Sequence, residues 1–280
     1  MKTPEQLKGK IRNVAKEKDL HAQEVLQMYL FERVIERLSA SRYKANFILK
    51  GGLLIASMIG IAERTTMDMD TTVNGVRMEE DTIKRVIKEV LATDVGDGIE
   101  FIMTKIEPIY EVGAYNNFRV SFNALYGKMN VPMKIDITTG DIITPSAIEY
   151  SYQMMFETKS VSVMAYTLET ILAEKYETII GRNIGNTRAR DFYDLYVIFK
   201  SRKSEINRRY LVTAVEATSK KRGSESVLSD WKEICEEIKN EEALMDLWNN
   251  YIEDNRYADY LSFSDVADNV YNVAKYINEI

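Results

Sequence analysis

The chain has 280 residues, of which 45% are apolar and 29% charged, with a formal net charge of −6. This composition excludes a disordered chain, and no apolar run reaches the ~18–20 residues of a membrane span, so no membrane partner is expected. The single cysteine, Cys235, excludes an internal disulfide and fits a reducing compartment. The charged N-terminus lacks a signal-peptide core, so the expected location is the cytoplasm.

Residues 4–19 and 22–40 read as helices, the second with Val25, Tyr29, Phe31, Val34, Ile35 and Leu38 as its apolar stripe. Asn46–Lys50 is a short apolar strand that ends at Gly51-Gly52. Leu53–Ile61 follows as a helix and Glu63–Thr66 as a polar turn. Met67–Val73 alternates as a strand, with Asp68 and Asp70 on one face and Met69 on the other. Met78–Thr93 is an amphipathic helix burying Ile83, Val86, Ile87, Val90 and Leu91. Three antiparallel strands are expected next, Ile99–Val112, Phe118–Tyr126 and Val131–Thr138, joined by turns at Gly113–Asn117 and Gly127–Asn130. A looser stretch, Gly140–Lys159, precedes a short apolar segment, Val161–Ala165. Helices follow at about 167–181, 188–201, 205–219, 224–239, 241–254 and 264–279. The change of periodicity near 160 predicts an α+β chain: a mixed β-sheet with flanking helices over 1–160 and an α-helical domain over 161–280.

The chemistry-bearing residues cluster in the first part. An Asp-x-Asp on a strand sets two carboxylates on one face, ~6–7 Å apart, a spacing suited to Mg²⁺, which takes oxygen ligands and bridges to phosphates. Asp136 repeats the arrangement on a second strand, so Asp68, Asp70 and Asp136 form a candidate metal cluster; taken alone, Asp136 reads equally well as an exposed strand residue. Gly51 and Gly52, between a strand and a helix, let backbone N–H groups approach a phosphate, although an ordinary tight turn uses the same residues. Lys134, two residues before Asp136, can neutralise that carboxylate, bind a phosphate or take a proton. On the helix after 167, Lys175 falls within the apolar stripe, and Asp191 lies on the apolar face of the next helix, where it needs a partner such as Lys175. The net charge argues against nucleic-acid binding over the whole surface. Basic residues nevertheless concentrate between 182 and 222, in Lys200–Lys203, Arg208-Arg209 and Lys220–Arg222, where a polyanion would be sought. His21 and Cys235 offer neither a zinc site nor a histidine-dependent triad.

These motifs in this order resemble the AbiEii toxin family, a branch of the DNA polymerase β-like nucleotidyltransferases. The matching residues are Lys50-Gly51-Gly52 with Asp68-Met69-Asp70, then Lys134-Ile135-Asp136-Ile137, Thr167-Leu168-Glu169 with Ala173-Glu174-Lys175, and Arg188 to Leu195. The resemblance implies an N-terminal nucleotidyltransferase domain, a helical C-terminal domain and an active site in the cleft. It implies Mg²⁺-dependent transfer of a nucleotide from an NTP, with GTP the nucleotide associated with the family, to RNA, tRNA being the acceptor of related toxins. It also implies a cognate AbiEi-like antitoxin, whose neutralisation need not involve direct contact. Asp68, Asp70 and Asp136 are then the metal residues; Gly51, Gly52, Lys134, Lys175 and Asp191 serve the nucleotide. One departure stands out: Leu53 occupies the place where the superfamily carries a Ser or Thr whose hydroxyl contacts phosphate. Two other readings remain beside this one: transfer to a small molecule or a protein, and a GTP-binding module without turnover.

Overall fold

The computed structural model describes residues 3–109 and 117–279. In chain order the elements are α1 (Pro4–Glu17), α2 (Ala22–Ala40), β1 (Phe47–Lys50), α3 (Gly51–Ile59), β2 (Met69–Val73), α4 (Glu80–Leu91), β3 (Glu100–Ile109), β4 (Asn117–Tyr126), β5 (Met129–Thr139), β6 (Ile148–Gln153) and β7 (Ser160–Ala165). The helices α5 (Leu168–Arg182), α6 (Ala189–Arg202), α7 (Arg208–Arg222), α8 (Glu225–Ser229), α9 (Trp231–Asn240), α10 (Glu242–Asp254) and α11 (Phe263–Asn278) follow. The chain divides into two compact units, one of Met1–Asp141 with Ala147–Ala165, the other of Ile142–Ser146 with Tyr166–Ile280.

In the first unit seven strands form one mixed sheet in the order β3-β4-β5-β2-β1-β7-β6. The pairs β3/β4, β4/β5, β2/β1 and β6/β7 are antiparallel, and β5/β2 and β1/β7 are parallel. Strand alternation sorts the sheet into two faces. On β4 and β5, Phe118, Val120, Phe122, Ala124, Val131, Met133, Ile135 and Ile137 are buried, and Arg119, Lys134 and Asp136 lie on the other face. α4 buries the five residues its periodicity picks out, Ile83, Val86, Ile87, Val90 and Leu91. α2 is nearly surrounded, so its charged residues need partners. Arg37 grips Asp97 through Nη1 and Nη2 at 2.7 and 2.8 Å and also donates to the Ile99 carbonyl.

Three expectations are corrected. The stretch 140–159 is not a plain connection, because it contains β6; this is an edge strand with only Tyr152 buried, so its apolar signal is thin. The glycine pair is not a turn before α3 but its first two residues. The helix expected over 224–239 is two helices, α8 and α9, meeting at Asp230. The end of the third expected strand, 110–112, and most of the turn at 113–117 lie outside the described residues.

In the second unit α5 packs against α6 and α7, and α11 packs against α6, α7 and α9. Trp248 and Tyr193 are buried in it. No helix among the described residues is long and apolar enough to cross a membrane.

Candidate active site

Strand register sets five charged residues in one row across the sheet. Lys50 on β1 is paired with Asp70 on β2, Asp70 with Asp136 on β5, Asp136 with Arg119 on β4, and Arg119 with Glu107 on β3. Directly paired residues project from the same face, so the signs run plus, minus, minus, plus, minus. Asp70 and Asp136 are thus neighbours at the ~4.8 Å strand spacing, which costs stability unless cations stand nearby. Arg119 supplies one, donating from Nε and Nη2 to the two Asp136 oxygens, each at 2.7 Å. That fork and the Asp136 charge hold the guanidinium above its ordinary pKa.

Asp68 lies just before β2 rather than on it. Lys134 Nζ is 2.9 Å from its Oδ1, yet that buried oxygen is offered no well-aligned hydrogen bond. On the far side of Asp70, Lys50 Nζ is 2.6 Å from Asp141 Oδ2, which also accepts from the Thr138 hydroxyl at 2.8 Å.

Gly51 opens α3 at φ +67°, a conformation glycine adopts without a steric penalty. A Cβ there would run into the Asp70 carboxylate, so the helix N-terminus stands directly against the acidic pair. A Cβ on Gly52 would lie 2.9 Å from Arg64 Nη2 and 3.0 Å from Thr66 Oγ1. The wholly buried Arg64 and the Thr66 hydroxyl therefore line the start of α3. Leu53, the residue after Gly52, is fully buried and belongs to the core.

The second unit holds a separate ionic cluster. Lys175 Nζ on α5 is 2.5 Å from Asp191 Oδ1 and 2.8 Å from Asp194 Oδ2, both on α6. Burial works to lower the ammonium pKa, but Asp194 and Asp191 outweigh it and hold Lys175 above an ordinary lysine. The expected partner of Asp191 is thus present, and Asp194, which helix spacing sets beside Arg190, also pairs with Lys175.

Among the candidates the sheet brings Asp68, Asp70, Lys134, Asp136, Gly51 and Gly52 onto one surface. Arg119, Arg64, Thr66 and Asp141 are additions. Arg119 read only as a polar-face strand residue, because its partner depends on register between strands. A hard cation needs carboxylate oxygens. Asp68, whose buried Oδ1 has an ion-pair neighbour in Lys134 but no well-aligned hydrogen bond, and Asp70, beside Gly51, fit that need. Asp136 does not fit while Arg119 occupies both its oxygens, and among the described residues no group of three or more Asp, Glu, His or Cys gathers at metal-holding geometry.

The fold resembles two solved structures from Helicobacter pylori, JHP933 and a candidate nucleotidyltransferase. Each aligns with a TM-score of 0.52 and 16% identity over 93% of this chain, covering 94% and 96% of the two other chains. At that identity the likeness speaks for the fold alone. No curated protein sequence matches. A family profile described as nucleotidyl transferase AbiEii toxin, type IV toxin–antitoxin system, matches residues 33–269. The chain therefore belongs to the AbiEii family and is a nucleotidyltransferase toxin of a type IV toxin–antitoxin system, which implies a nucleotide substrate and an antitoxin partner.

Proposed function

We propose that this toxin transfers a nucleotide from an NTP, with GTP as donor, to tRNA, and that it uses Mg²⁺. The observation that carries the reading is the juxtaposition of Asp70 with Asp136 in register and with Gly51 at the start of α3. This sets two carboxylates beside the N–H groups of a helix start. Asp68 and Asp70 would hold the cation, with Asp136 beside them. A bound divalent cation supplies charge neutralisation and alignment for the triphosphate.

The Gly51 and Gly52 N–H groups and Lys134 would serve the phosphates, so the hydroxyl absent at Leu53 is offset by charge. Lys175, held protonated by Asp194 and Asp191, does not act as a base in this reading. Catalysis then rests on positioning and on electrostatic stabilisation of the transferring phosphoryl group. Lys200, Lys203, Arg209, Lys220 and Lys221 are exposed, which supports a polyanionic acceptor despite the net charge. Neutralisation by an AbiEi-like antitoxin requires no direct contact in this reading.

The test offers each labelled NTP, with Mg²⁺, to total tRNA, to cell protein and to small-molecule extracts. Label from GTP in tRNA is the expected result. Label in protein or in a small molecule moves the acceptor, and label nowhere from a folded protein leaves a binding module without turnover.

A further inference from the structure

Within the charged row, Arg119 stands between two carboxylates. Asp136 is its partner on β5 and Glu107 its partner on β3. Its guanidinium is committed to Asp136 through two hydrogen bonds, while Glu107 is paired with Lys105. The Arg119 side chain is 38% exposed and that of Glu107 39%. A swing of the guanidinium from one carboxylate to the other therefore disturbs no core packing.

Asp136 cannot give both oxygens to Arg119 and also serve a divalent cation well. The cation and the guanidinium would share one carboxylate as neighbouring like charges. The row offers a second seat for the displaced charge, since directly opposed residues on antiparallel strands lie within side-chain reach. We infer that Arg119 is a two-position counter-ion: it holds Asp136 before a divalent cation binds and moves to Glu107 when the cation takes Asp136. Arg119 thereby limits repulsion between Asp70 and Asp136 in the cation-free protein. It also sets the affinity of the site, so that the site fills readily only when nucleotide phosphates add their negative charge. Arg119 is a positioning residue here, acting through Asp136. The inference rests on the metal-dependent reading proposed above.

The experiment titrates Mn²⁺ into nucleotide-free full-length protein and follows free Mn²⁺ by electron paramagnetic resonance. Arg119→Gln removes the competing charge and is expected to tighten Mn²⁺ binding about tenfold. Glu107→Gln removes the second seat and is expected to weaken binding about threefold. Asp70→Asn is expected to abolish it.

Asp70-dependent binding that Arg119→Gln leaves unchanged would overturn the exchange while leaving the metal reading intact. Binding that Asp70→Asn leaves unchanged, or no binding by any form either without or with added GTP, would remove the metal reading and the exchange with it. If Arg119→Gln fails to fold, Glu107→Gln at its exposed position carries the test, and unchanged affinity there overturns the second seat. A role for Arg119 in sheet stability alone predicts a lower melting temperature with unaltered Mn²⁺ affinity, which also overturns the proposal.

Discussion

Lys175 and Asp194 form an ion pair with the carboxylate wholly buried: Nζ to Oδ2 is 2.8 Å and the Asp194 side chain is 0% exposed. Asp191 shares the same ammonium, so one cation balances two carboxylates in the interior of the second unit. Such a cluster contributes little net stability over an apolar replacement but is costly to break from one side.

Lys175→Met is therefore expected to lower the unfolding free energy by about 3–5 kcal/mol. Adding Asp191→Asn and Asp194→Leu is expected to recover part of that loss. Urea unfolding of the single and triple variants checks both. An unchanged midpoint for Lys175→Met would show that the carboxylates find other partners.

Replacing Asp68 and Asp70 together by alanine is expected to abolish toxicity and nucleotide transfer while the protein stays folded. Growth on induction, label transfer and circular dichroism make the comparison. Continued toxicity from a folded double variant would remove both residues from the catalytic role.

Gly51→Ala adds a single methyl group at a positive φ and directs it at Asp70. The strained backbone alone costs about 1–2 kcal/mol, and the carboxylate must move. Transfer is expected to fall by orders of magnitude, with a melting shift of only a few degrees. Wild-type activity in Gly51→Ala would mean that Asp70 has room the geometry does not provide.

Leu53→Ser places a hydroxyl directly after Gly52 at a position with no exposure. It leaves a cavity and buries a polar group, so stability is expected to drop by about 2–5 kcal/mol. Nucleotide affinity, measured by calorimetry, is expected not to rise. A tighter complex would show that the hydroxyl reaches phosphate after all.

Glu32 on α2 is 3% exposed and accepts from the Met155 N–H at 2.9 and 3.0 Å. Burial, opposed by that hydrogen bond and by Arg33, pushes its carboxyl from 4.5 up to about 8. The native state thus keeps a proton that the unfolded chain releases. This contribution to stability falls as pH rises from about 4.5 to about 8 and is flat above that range. Glu32→Gln is expected to remove this slope, which amounts to a few kcal/mol. Unfolding at a series of pH values, wild type against variant, measures the difference; parallel curves would refute it.

What the sequence made legible follows from range. α4 and β4 were readable because their burial repeats within a few residues. The same periodicity put Lys134 beside Asp136, whereas Asp68, read as a strand residue, lies just before β2. Arg119 remained hidden because its link to Asp136 spans 17 residues and depends on which strand lies next to which. Arg64 and Thr66 sat in a stretch read only as a polar turn, although chain reversal folds them back onto Gly52. Lys50 was legible as part of a motif, but not its partner Asp141, which lies 91 residues on.

The charged row depends on strand register. A strand that slipped by one residue would turn every one of its side chains to the opposite face. A β5 slipped by one residue would send Asp136 and Lys134 into the apolar layer and bring Ile135 and Ile137 out to water. Burial of the apolar face of β5 therefore also keeps Asp136 in line with Asp70.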